Sequence, residues 1–154
     1  MEKERKQNNI DFIFEVMKMK FEHLNDITNT LDNKIAIIIG FLATILAGLV
    51  TFFNTYISLC FNSFTVALVV FLLALILCTV ALATKKFFYP PDANALYSED
   101  SLNMEIFDLK NQTIADIKKC FEENHIIHEE RAKLFNLSLW LLIAGTVLVM
   151  IQFL

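Results

Sequence analysis

Few residues of this chain have the type and spacing to do chemistry. Glu122-x-x-His125 is half of the carboxylate–histidine pattern of a di-iron helix bundle. That centre needs two such motifs and two further glutamates on facing helices, and there is no second copy. His125 and His128, spaced i, i+3, would offer two imidazoles to a metal if His23 or another chain supplied a further ligand. The plainer reading makes them exposed or interfacial polar positions. The three glycines all lie within apolar runs, which excludes a phosphate-cradling glycine loop, and no nucleophile–base pair stands out. Cys60, Cys78 and Cys120 are too few and too scattered for a disulfide framework and read as small hydrophobes. No catalytic residue, metal site or cofactor is therefore expected, and the chain does not read as an enzyme.

Anion recognition is the chemistry that remains. Lys18, Lys20, Lys118 and Lys119 are candidate contacts for an anionic ligand away from any membrane, with a solvated helix surface as the alternative. A net charge of −4, from 13 basic and 17 acidic residues, argues against binding to duplex nucleic acid.

Three apolar runs position everything else. They cover 35–53, 63–84 and 137–154, and none contains Asp, Glu, Lys, Arg or His. Runs of about 18–22 residues match a ~30 Å hydrocarbon core at ~1.5 Å per residue. With 56% hydrophobic residues and a mean hydropathy of +0.52, too little polar surface remains for a soluble bundle. The fold class expected is an all-α membrane protein with three transmembrane helices, long cytoplasmic amphipathic extensions and an oligomeric bundle.

Charge sets the orientation. Residues 54–62 carry none, whereas 1–34 and 85–136 carry all 13 basic residues. Lys and Arg are retained on the cytoplasmic side. The expected order is a cytoplasmic helix over 1–34, spans over 35–53 and 63–84 joined outside by 54–62, a cytoplasmic turn and amphipathic helix over 85–136, and a last span over 137–154. That gives a multi-pass protein of the bacterial inner membrane with its N-terminus inside and its C-terminus outside. Lys34, Lys85, Lys86, Arg131 and Lys133 then fall at the inner headgroup level, as membrane anchors or, alternatively, a phosphate-binding ring. The polar first 30 residues do not read as a cleavable signal peptide.

The cytoplasmic segments have helical periodicity. Apolar residues at 10, 13, 14, 17, 21, 24, 27 and 31 form one stripe. No Pro or Gly separates it from the first span, so one helix is expected from about Asn9 to Phe53, roughly 65–70 Å long. Thr28–Asn33 is a stretch of poor helix formers where a kink is plausible. Tyr89-Pro90-Pro91-Asp92 stops the second helix, and Asp92 or Ser98 is a candidate cap. A further amphipathic helix is expected from about Ser101 to Phe135, its apolar stripe interrupted by Asn124 and His128. Phe12, Phe14 and Phe21 add aromatic surface that calls for a partner, and so for a bundle of several chains.

In the first span Ala36, Gly40, Thr44 and Gly48 recur every four residues, with Thr51 in a neighbouring row. Small residues let helices approach closely, and Thr hydroxyls bond across or back along a helix. This face is expected either to pack on the second span, which has its own row at Ala67, Ala74, Cys78 and Ala81, or to associate with other copies around an axis, with Thr44 and Thr51 facing a pore.

The run Leu31-Asp32-Asn33-Lys34-Ile35-Ala36-Ile37-Ile38-Ile39-Gly40 resembles the start of the first span in the transmembrane effectors of Pycsar-type anti-phage systems and their relatives, where an Asp-x-Lys-Ala-x-x-Leu-Leu-Gly-like run leads into an apolar helix. Asp32, Lys34 and Gly40 match in spacing, while Ile35 replaces the alanine and Ala36 follows one place later. The likeness covers about ten residues; the rest is similar in layout. It implies a homo-oligomer, with a tetramer as the candidate number, embedded in the lipid bilayer. A nucleotide or short oligonucleotide signal, made by an associated nucleotidyltransferase or cyclase, would gate membrane leakage in abortive infection. A holin-like lysis protein and a non-conducting membrane adaptor for a soluble partner are the alternatives.

Overall fold

The computed structural model describes the backbone of residues 2–56, 61–84, 87–90 and 104–151, and the side chains of 6–51, 65–84, 87–90 and 104–151. It contains α1 (Glu2–Tyr56), α2 (Phe61–Ala83) and α3 (Ile106–Ile151), with no strand among the described residues. All three are long and apolar enough to cross a membrane.

α1 is unbroken across Thr28–Asn33, and it begins at Glu2 rather than near Asn9. The expected loop at 54–62 shrinks at both ends, because 54–56 continue α1 and 61–62 open α2. α3 starts at Ile106, five residues later than its periodicity suggests, with the Glu105 carbonyl accepting from the amides of Asp108 (2.9 Å) and Leu109 (3.0 Å). Phe87–Pro90 lies between α2 and α3 without regular structure. The candidate caps Asp92 and Ser98, and the basic pair Lys85 and Lys86, lie outside the described residues.

The chain divides into two compact units, Met1–Asn29 with Lys86–His128 and Thr30–Lys85 with Glu129–Leu154. In the first, Ile10, Leu24 and Thr28 of α1 and Ile117 and Asn124 of α3 are buried. Phe14 and Phe21 are half-buried, while Phe12 and Met19 are exposed.

The second unit is the apolar one. α1 contributes Leu31, Ile35 and Leu42 to its core, α2 contributes Ala67, Phe71, Ala74, Cys78 and Ala81, and α3 contributes Phe135. The α2 set follows steps of four and three, the repeat of a coiled-coil seam. The alanines let the neighbouring helices close around Phe71, and Gly145 completes the fit. A Cβ at Gly145 would stand 2.8 Å from Phe71 Cε1. The outside of the unit carries large apolar side chains instead, among them Phe41, Val69, Leu73, Ile76, Trp140 and Val147. Small residues at the seam with large apolar side chains on the outside is a distribution that suits a helix bundle solvated by lipid, where close approach matters between helices.

Candidate functional site

α3 has one face that repeats every seven residues through Ile117, Asn124, Arg131, Ser138 and Gly145, all of them buried. Three of the five are polar. A buried polar side chain needs partners, and each finds them differently.

Arg131 is the extreme case. Its sequence context, Glu129-Glu130-Arg131-Ala132-Lys133, suggests a basic residue at the headgroup level, but the residue is only 1% exposed. Its Nη2 donates to Oδ1 of Asp32 on α1 in a closed ion pair. Its Nε donates to the Ala81 carbonyl at 2.7 Å. Ala81 sits in the last turn of α2, where its carbonyl also accepts from the Thr84 hydroxyl at 3.2 Å and the helix dipole favours a cation. One guanidinium on α3 thus joins α1 and the end of α2, while Nη1 is buried without an acceptor among the described residues. Helical register turns Arg131 inward, toward the other two helices of its unit. Lys34 and Lys133 are exposed.

Seven residues further along α3, Ser138 completes a short relay. The Cys78 thiol donates to Ser138 Oγ at 3.0 Å, and that hydroxyl donates to the Phe135 carbonyl at 2.7 Å. Both side chains are fully buried.

In the first unit, Asn124 does not interrupt the packing as its polarity suggests. Its Oδ1 accepts from the Phe88 amide and its Nδ2 donates to the Phe88 carbonyl, both at 2.8 Å. The side-chain amide acts as a strand partner for one residue and fixes the Phe87–Pro90 segment against α3. His128 meets Thr28 at 3.1 Å through Nδ1. The Thr28 hydroxyl spends its hydrogen on the Leu24 carbonyl at 2.8 Å, so Thr28 accepts and Nδ1 of His128 carries the proton. His125 instead stacks on Phe121, the rings 5.8 Å apart and 9° from parallel. The two histidines are engaged with different groups, and no group of three metal-ligating side chains occurs among the described residues. Cys120 is half-buried; burial raises its thiol pKa, with Glu123 and Asp116 adding to the effect.

The four lysines proposed as ligand contacts are all exposed. Lys118 pairs with Glu122 along its own helix at 3.9 Å. A different lysine, Lys110, forms the ion pair that joins α3 to Asp11 of α1. The interhelical partner, rather than the density of charge, marks that residue.

No family model, curated protein or solved structure matches the chain.

The small-residue row of the first span lies on the opposite side of α1 from its core residues. Ala36, Gly40, Thr44, Gly48 and Thr51 are exposed. A Cβ built on Gly40 or Gly48 meets nothing within 4 Å. The row therefore does not serve packing on α2 within the chain, and α2 uses its own small row for that purpose. Thr44 donates back to the Gly40 carbonyl and Thr51 to the Ala47 carbonyl, each at 2.9 Å. Their hydroxyl hydrogens are satisfied along the helix.

Proposed function

We propose that this chain is an oligomeric inner-membrane effector that forms a gated pore. The observation that carries the proposal is the open face of α1. Gly40 and Gly48 have empty space before them, and Thr44 and Thr51 share that side of the helix. A small-residue face with hydroxyl oxygens suits close helix–helix contact around an axis and a channel wall free of charge, which gates by dewetting rather than by an ionisable group.

The N-terminus lies in the cytoplasm on this reading and the C-terminus outside, by the distribution of Lys and Arg. A nucleotide or short oligonucleotide, made by a nucleotidyltransferase or cyclase, sets the gate, and leakage through the pore disrupts the membrane during phage infection. The support for the signal is the likeness of Leu31–Gly40 to the span start of nucleotide-signalling effectors. A ligand shifts such a gate only by binding one arrangement better than the other.

The experiment is ion and dye flux from liposomes containing the purified chain, with and without a panel of cyclic and linear nucleotides. Flux that changes with one nucleotide supports the whole reading. Nucleotide-independent flux retains the pore and removes the signal, leaving the holin-like alternative. Absence of flux from inserted, folded protein removes the pore. A membrane adaptor is the second reading, favoured by the exposure of Phe12, Ile13 and Met19 on the N-terminal part of α1.

A further inference from the structure

The geometry points to Arg131 as a releasable lock, whose separation from Asp32 admits water to the seam beneath it. Three observations in the second unit carry this. First, the guanidinium is a buried group that joins all three helices there, holding Asp32 of α1 and the Ala81 carbonyl of α2 from its own position on α3. Second, the closed arrangement is left with an unmet demand. Nη1 is buried with no acceptor among the described residues, and a buried charged donor without a partner is penalised relative to the same donor in water. An aliphatic seam would have no such reason to open. Third, Asp32 keeps 15% of its side chain exposed while Arg131 keeps 1%, so the pair is open to its surroundings from the carboxylate side alone.

These features bring the closed and hydrated arrangements close in free energy, which a bistable element requires. Beneath the lock the seam is already partly polar. The Cys78 thiol and the Ser138 hydroxyl face each other at 3.0 Å, and water entering past Arg131 finds hydrogen-bonding groups there. The inference goes beyond the pore proposal and does not require conduction, because its readout is the hydration of a buried thiol.

Cys78 is that reporter. It is fully buried, and it reacts with a maleimide only as a thiolate formed where water reaches it. The full chain carrying Cys60→Ser and Cys120→Ser, in liposomes, is labelled with N-ethylmaleimide. The intact lock gives slow labelling. Asp32→Asn, which uncouples the guanidinium from its charge partner, is expected to label about tenfold faster or more, because labelling follows the population of the locally opened state. The double variant Asp32→Leu/Arg131→Met refills the site with apolar side chains and is expected to label as slowly as the parent.

Equal labelling of Asp32→Asn and the parent, with both shown folded by limited proteolysis, overturns the lock. So does fast labelling of the double variant, which would mean that any substitution there merely loosens packing. If Asp32→Asn fails to insert, Asp32→Ser serves in its place. It also removes the charge that faces Arg131 while keeping a small polar side chain, and the same two results decide.

Discussion

Arg131 and Asp32 stand 99 positions apart and close on one another inside the helical bundle. The arginine is the largest fully buried side chain among the described residues. Desolvating a guanidinium is costly, and only paired, well-formed hydrogen bonds repay it. The carboxylate of α1 and the last-turn carbonyl of α2 supply two of them. The pair is therefore weak evidence of net stability, although it links three helices.

A specific energetic asymmetry follows. Removing one partner by Asp32→Asn leaves a buried, uncompensated charge and is expected to destabilise the protein by about 3–5 kcal/mol. Replacing both, as Asp32→Leu/Arg131→Met, is expected to be neutral or stabilising. Unfolding in mixed micelles with increasing denaturing detergent measures both; equal losses in the two variants would contradict the argument.

The glycines differ in what surrounds them. Gly145→Ala forces a Cβ to within 2.8 Å of the Phe71 ring and is expected to cost about 1–3 kcal/mol by overpacking, with Phe71→Leu restoring part of it. Gly40→Leu and Gly48→Leu meet open space in the monomer and should leave its stability unchanged. If the open face of α1 joins copies, these two substitutions lower the oligomer number read by native mass spectrometry or cross-linking.

Asn124 holds both backbone groups of Phe88. Asn124→Leu leaves that amide and carbonyl without partners and is expected to cost about 1–3 kcal/mol. The effect should be local, with faster hydrogen exchange at the Phe88 amide and cleavage appearing within Phe87–Pro90 under limited proteolysis. Asn124→Gln, one methylene longer, should rescue it in part.

Cys120 offers a pH readout. Burial, Glu123 and Asp116 all raise its thiol pKa, so its thiolate population at a given pH is smaller than that of an unperturbed cysteine. Alkylation of Cys120 in a Cys60→Ser/Cys78→Ser chain should rise with pH along a curve displaced upward from that of a free thiol. Glu123→Gln should shift the curve back down.

Much of the fold can be read from composition and period. Apolar runs without a charge mark α2 and the parts of α1 and α3 that are long and apolar enough to cross a membrane, and the lack of Pro or Gly through Thr28–Lys34 marks the continuity of α1. The boundaries shift because neighbours decide them. α3 starts after Glu105, where its carbonyl finds donors, rather than where the apolar stripe begins. The buried polar residues are harder to read. Glu129-Glu130-Arg131 looks solvated by type, and only the seven-residue register that Arg131 shares with Ile117, Asn124, Ser138 and Gly145 shows that it points inward. The partner of Arg131 lies in the other long helix, and no local pattern identifies it. Lys110 is likewise distinguished from Lys18, Lys20, Lys118 and Lys119 by a partner 99 positions away.

Conductance in a voltage-clamped planar bilayer tests the proposed pore most directly. The purified full chain, shown by protease protection to be inserted, should produce discrete conductance steps that Gly40→Leu or Thr44→Leu alters in amplitude. A bilayer that stays electrically silent with inserted protein, in the presence and absence of cyclic and linear nucleotides, would contradict the account.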